Sequence, residues 1–169
     1  MSNGRKNQLT KQIGEYLVAA ELGRRGFLAT TFTGNVPHYD VLATDAAGGT
    51  LAIQVKAINR GSWQFDIRQF ADVKLQGKRQ VIGDTTAIPH PNLICVFVVV
   101  DHYGSDRFFV FEWRDLQAVL VERHRQYLDE RGGIRPRRYD SFHTAVGPQH
   151  LVQFEGNWAL IERRLSGRE

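Results

Sequence analysis

The order of segments predicts an α/β (α+β) fold: a mixed, mostly antiparallel central sheet flanked by helices. Three observations carry this. A long helical pattern opens the chain, a run of short β-rich segments follows, and further helical patterns close it. The opening helix is expected over residues 10–25, with Thr10 as its cap and Gly26 at its end. At about 100° per residue, Leu9, Ile13, Leu17 and Ala20 line up as one apolar face. Val18 and Leu22 lie towards the other side, together with Glu15, so the helix reads as covered on two sides. A carboxylate among apolar neighbours calls for a partner or a task.

Strands are expected over 27–32, 39–44 and 51–58, and Asp45 to Gly49 supplies turn chemistry between the last two. In 51–58, Leu51, Ile53, Val55 and Ala57 face one way and Ala52, Gln54, Lys56 and Ile58 the other. Trp63, Phe65 and Ile67 alternate like a strand, whereas Ile88 to Pro91 is irregular. Leu93 to Val100 is a continuous apolar run and reads as a central strand, with 107–111 hairpinning back onto it. A second long helix runs from Trp113 to about Asp129, and a short one, carrying Trp158, Ile161 and Leu165, lies near 157–164. Residues 59–91 and 130–150 yield no clear element pattern. The chain reads as one domain over 1–169 with loose ends at 1–8 and 166–169.

Composition narrows the classes. The 42% hydrophobic and 24% charged content is that of an ordinary globular chain, and no apolar run is long enough to span a membrane. Residues 1–7 lack the apolar core of a signal peptide. The single Cys95 sits in the apolar strand, which excludes an intrachain disulfide and reads as a core residue; the expected compartment is reducing and cytoplasmic. Net charge is +4 with a pI near 9.5, compatible with nucleic acid. Arg123, Arg125, Arg131, Arg135, Arg137 and Arg138 cluster in sixteen residues, either as a solvated helix end and loop or as a patch that tracks phosphates. The histidines form no metal set by spacing, and no Ser-His or Cys-His nucleophile set is present.

One constellation carries chemistry. Gln54 and Lys56 share a strand face. If the hairpin centres near Ala47, Asp40 stands opposite Gln54; a slip of one residue would send it to the other face. A carboxylate, an amide oxygen and an ammonium then converge, with Glu15 as a fourth member from the helix. Phosphodiester hydrolysis uses such a set. Asp40 and the Gln54 carbonyl oxygen suit a hard divalent ion, and a lysine beside them can orient water and stabilise phosphoryl charge.

The sequence Gly14-Glu15, then Tyr39-Asp40, then Ile53-Gln54-Val55-Lys56 resembles the PD-(D/E)XK nuclease superfamily, in its variant with Gln for the second acid. It is also similar to small bacterial proteins of this restriction-endonuclease-like fold that carry Gly-Glu-Tyr-Leu-Val-Ala, here Gly14 to Ala19, and end on a tryptophan-bearing helix, here with Trp158. The motifs cover residues 10–58. The resemblance implies Asp40 as a direct metal ligand, Gln54 in place of the usual acidic ligand, Lys56 as the catalytic lysine and Glu15 as the helix acid that binds metal directly or through water. Mg²⁺, or Mn²⁺, is the implied cofactor and DNA the implied partner. Many nucleases of this fold pair to cut both strands, so a homodimer is compatible, as is a protein partner that supplies specificity. Two departures stand out. Tyr39 replaces the usual proline, and Gln54 removes one negative charge, which weakens metal binding.

Contacts to nucleic acid are expected from His38, Arg60, Ser62, Arg135, Arg137 and Arg138. Three functional readings remain open at this point: a metal-dependent DNA nuclease, a non-cleaving nucleic-acid-binding module of the same fold, and a protein-interaction module that reuses the fold.

Overall fold

The apolar runs assemble into one five-stranded sheet in the computed structural model, which describes residues 3–32, 39–88 and 92–167. The chain runs through helix α1 (Asn3–Arg24), then strands β1 (Leu28–Thr31), β2 (Val41–Thr44), β3 (Thr50–Ile58), β4 (Trp63–Asp66), β5 (Ala71–Gln76), β6 (Arg79–Thr85), β7 (Ile94–Val99) and β8 (Arg107–Glu112). Helix α2 (Trp113–Asp129), strand β9 (His143–Val146) and helix α3 (Ala159–Ser166) complete it. The central sheet has the order β1-β2-β3-β7-β8. Its pairings are antiparallel except for β3 with β7, which is parallel. A parallel pair needs a long crossover. The excursion through β4, β5 and β6 supplies it. β7 is buried on both faces, which is why its sequence is continuously apolar rather than alternating.

Alternation along the strands divides the core in two. Val55, Val96, Val98 and Val110 point to the layer of α1 and α3, where Val18, Leu22, Trp158 and Ile161 meet them. Phe97, Phe109 and Phe111 point to the opposite layer, which holds Trp63, Phe65, Phe70 and the α2 residues Trp113, Leu116 and Leu120. The aromatic residues of β4 are thus core residues. Cys95 is fully buried, and burial pushes its thiol up to about 12, so it is an inert core group.

Residues 59–88, hard to read beyond the alternation of Trp63, Phe65 and Ile67, form β4 and the β5–β6 hairpin, which turns at Gly77 in the left-handed region (φ 62°). The strand expected to reach Ile67 stops at Asp66, whose carboxylate caps a 3₁₀ turn by accepting from the Arg68 N–H at 3.0 Å. β4 pairs with β9, far along the chain, so the two segments are legible only together.

Helix α1 differs from expectation in two ways. It starts at Asn3, because residues 5–9 contain only tolerant helix formers and the Thr10 hydroxyl donates to the Lys6 carbonyl at 3.0 Å, a bond made inside a helix rather than at its cap. Residues 3–8 therefore belong to a helix, not to a loose end. Its buried ridge is Thr10, Gly14, Val18 and Leu22, whereas Leu9 and Ile13 are 45% and 43% exposed. The reason is Gly14. A Cβ there would stand 2.5 Å from the Ala57 Cβ, so the helix docks on β3 through a position without a side chain. Hydrophobic periodicity assigns no weight to a glycine and selected the neighbouring stripe.

A buried histidine ties α2 to the β5–β6 hairpin. His124 is 2% exposed and shares a hydrogen bond of 3.1 Å with Gln80 Oε1. The Gln80 amide donates to the carbonyls of Tyr139 (2.7 Å) and Ser141 (2.9 Å), which leaves Oε1 as the acceptor for a neutral His124. Burial, helped by nearby Arg135 and His143, lowers its pKa to about 4 from 6.5. The folded-state value is depressed, so the stabilisation is complete above the unfolded pKa and is lost as pH falls through the window from 6.5 to about 4. Urea melts should register a loss of about 2 kcal/mol between about pH 7 and about pH 5, absent in a His124→Gln variant. An equal slope in both proteins would assign the acid sensitivity elsewhere.

Candidate active site

The site is organised by the β2–β3 hairpin. Asp45 Oδ1 accepts from the N–H groups of Ala47 (3.0 Å) and Gly49 (2.7 Å), and Gly48 takes the left-handed conformation (φ 87°), which closes a tight turn. The resulting register pairs Thr44 with Thr50 and Val41 with Ile53. One step beyond this ladder, Asp40 stands against Gln54, and its own N–H donates to the Ile53 carbonyl at 2.8 Å. Strand β3 continues to Ile58 with β7 as its strand partner. On the side that β2 has left, Asp40 Oδ2 accepts from the Val55 N–H at 2.9 Å and replaces the missing ladder acceptor.

Helix α1 brings its polar edge to the same point. Lys11 Nζ lies 3.2 Å from Asp40 Oδ1 and 3.5 Å from Glu15 Oε1, so one ammonium bridges two carboxylates. Burial raises the pKa of Glu15, the neighbouring Asp40 charge adds to this, and Lys11 opposes it. Burial also acts to lower the Lys11 pKa, but the two carboxylates outweigh it and the net shift is upward. Glu15 and Asp40 are thus two negative groups held close together by a cation.

Gln54 Oε1 is buried and has no hydrogen-bond partner among the described residues. An orphaned amide oxygen of this kind costs about 1–3 kcal/mol unless something else binds it. Lys56 shares the strand face with Gln54, but its ammonium lies over the Phe65 ring, 5.6 Å from the centroid, and makes no ion pair among the described residues. The place beside Asp40 where Lys56 was expected is held by Lys11 instead. The Lys11–Glu15 spacing was readable as an i,i+4 helix pair, but its third partner is remote in sequence and left no local signal. Among the described residues no group of three His, Cys, Asp or Glu could hold a metal, and the amide oxygen of Gln54 is a further oxygen donor on the strand opposite Asp40.

The residues expected to contact nucleic acid separate. His38 lies outside the described residues. Arg60, with Lys6, Asn7 and Asn59, lines a groove of about 450 Å³ between the start of α1 and the end of β3. The Ser62 hydroxyl accepts from the Gln64 amide at 2.9 Å. Arg135, Arg137 and Arg138 lie together on a different cleft, beside Tyr127.

This sheet and its flanking helices form the expected restriction-endonuclease-like fold class, a mixed, mostly antiparallel sheet flanked by helices. The chain is similar to the bacterial homing endonuclease I-Ssp6803I, with 15% identity over 95% of this chain and 96% of that one and a TM-score of 0.53. It is also similar to a Holliday junction resolvase from Archaeoglobus fulgidus, with 14% identity over 85% of this chain and 88% of that one and a TM-score of 0.42. No family model matches the sequence, nor does any curated protein. No helix among the described residues is long and apolar enough to cross a membrane.

Proposed function

We propose that the chain is a metal-dependent nuclease that hydrolyses phosphodiester bonds in DNA. The observation that carries this reading is the pair of carboxylates, Asp40 and Glu15, gathered round one cation next to the unpartnered oxygen of Gln54. Those three donors are all oxygens and suit a hard ion such as Mg²⁺ or Mn²⁺. Bound there, such an ion would supply Lewis-acid polarisation of the phosphate and a more acidic water. Lys56 is the proposed catalytic lysine. Its ammonium lies over the Phe65 ring and would swing from there towards phosphoryl oxygens. Lys6 and Arg60, in the groove beside the site, would hold the DNA backbone.

The test is incubation of the protein with supercoiled, linear, single-stranded and branched DNA in Mg²⁺, Mn²⁺ or EDTA. Metal-dependent cleavage is the expected result. Absence of cleavage on every substrate would sink the nuclease reading. Salt-sensitive binding without cleavage would support the second reading, a binding module, which the neutral Gln54 in place of an acid favours.

Lys11 gives this reading a sharper edge. In the absence of metal its ammonium neutralises the two carboxylates, so it competes with a divalent ion for the same charge. Lys11→Met should lower the Mg²⁺ concentration for half-maximal cleavage by about fivefold, the equivalent of about 1 kcal/mol from a half-exposed ion pair. A metal titration with an unchanged or raised midpoint would remove Lys11 from that role.

A further inference from the structure

We propose that the cleft between the second half of α2 and residues 135–145 is an anion site that takes one phosphate group, held by Arg123, Arg135 and His143. The site is separate from Asp40 and Lys56 and does not depend on the nuclease reading. The cleft measures about 180 Å³, and none of its lining residues is acidic.

Arg123 is the first argument. Its Nε is buried without a hydrogen-bond partner, and among the described residues the side chain makes no ion pair. Three other arginines of this region are paired: Arg125 with Glu122 at 3.5 Å, Arg131 with Glu130 at 2.9 Å and Arg138 with Asp140 at 3.5 Å. A buried guanidinium donor left unpaired is costly, and the acceptor it lacks is an anion.

Arg135 is the second. It donates through Nη1 to the His143 carbonyl at 2.7 Å and lies 5.2 Å from the centroid of the Tyr127 ring. These contacts fix its guanidinium plane and leave further N–H groups for a ligand. His143 is held in turn. Its Nε2 bonds to Gln64 Oε1, while the Gln64 amide donates to the Ser62 carbonyl (2.8 Å) and hydroxyl (2.9 Å). The Gln64 oxygen must therefore be the acceptor, so His143 carries its proton on Nε2.

Two guanidinium groups, that of Arg135 fixed by its contacts and that of Arg123 with an unpartnered buried Nε, together with the His143 ring, exceed what a single carboxylate needs and match a phosphate. Tyr127 and Arg135 also border an adjoining cleft of about 390 Å³ with Arg131, Arg137 and Arg138. The positive surface thus continues past the pocket, as an extended polyanion would require.

The experiment is a titration of the full chain with inorganic phosphate at constant ionic strength, followed through the ring resonances of His143 and His124, with chloride as control. A saturable shift is expected, with affinity reduced at least about tenfold in both Arg123→Gln and Arg135→Gln. Neither Asp40 nor Lys56 lines the cleft, so a failed nuclease reading would leave this result intact. No saturable shift in the unaltered chain, or equal affinity in both arginine variants, overturns the proposal. A duplex-binding arm then distinguishes the source of the phosphate. If Arg123→Gln lowers the salt slope of duplex binding by about one, the occupant is a backbone phosphate. If phosphate binding is lost and duplex binding is unchanged, the occupant is a free phosphate or phosphomonoester.

Discussion

Removing the Lys56 ammonium or the Asp40 charge is expected to lower DNA cleavage by about 10²–10⁴, the usual worth of a group that acts on developing phosphoryl charge or the attacking water. The choice of variant matters, because both residues also have structural contacts. Lys56→Met keeps an apolar stem against Phe65 and removes only the ammonium, so stability should be nearly unchanged while the rate collapses. Asp40→Asn keeps an oxygen that can accept from the Val55 N–H and removes the negative charge. Asp40→Ala removes both, leaves that N–H orphaned, and should cost about 1–3 kcal/mol of stability in addition to activity. Single-turnover cleavage rates and urea melts of the three variants separate these effects. Full activity in Lys56→Met would exclude it as the catalytic lysine.

Gly14→Ala is expected to destabilise the protein by about 2 kcal/mol, even though alanine is the better helix former by about 1 kcal/mol. The added methyl would sit 2.5 Å from the Ala57 Cβ, and the strand beneath is anchored on β7, so α1 must lift. Lifting α1 also moves Lys11 and Glu15 away from Asp40. Protein that remains folded should therefore have an altered metal requirement. Ala57→Gly in the same chain opens the space and should recover most of the loss, a coupling that a double-mutant cycle in urea measures directly. Additive effects of the two substitutions would show that the close approach does not control the docking of α1.

Much of this was local and therefore legible. The period-two pattern of 51–58 placed Gln54 and Lys56 on one face. The Asp45 to Gly49 turn chemistry centred the hairpin at Ala47 and brought Asp40 level with Gln54. The apolar run at 94–99 marked the central strand, and α2 begins and ends where its pattern did. Each follows from short-range stereochemistry: strand pleat, turn geometry and helix spacing.

Tertiary structure alone decided the rest. Which ridge of α1 faces the sheet depended on the Gly14–Ala57 approach, a packing fact that hydrophobicity does not encode. That Lys11 rather than Lys56 stands beside Asp40 depended on where that docking places the polar edge of the helix. The pairing of β4 with β9 and the charge isolation of Arg123 required segments far apart in sequence to meet. The sequence determined the strands, the turn and the residues able to do phosphate chemistry, because these are set by neighbours along the chain. Which of those residues touch was determined by layer packing, because close approach and charge pairing act through space.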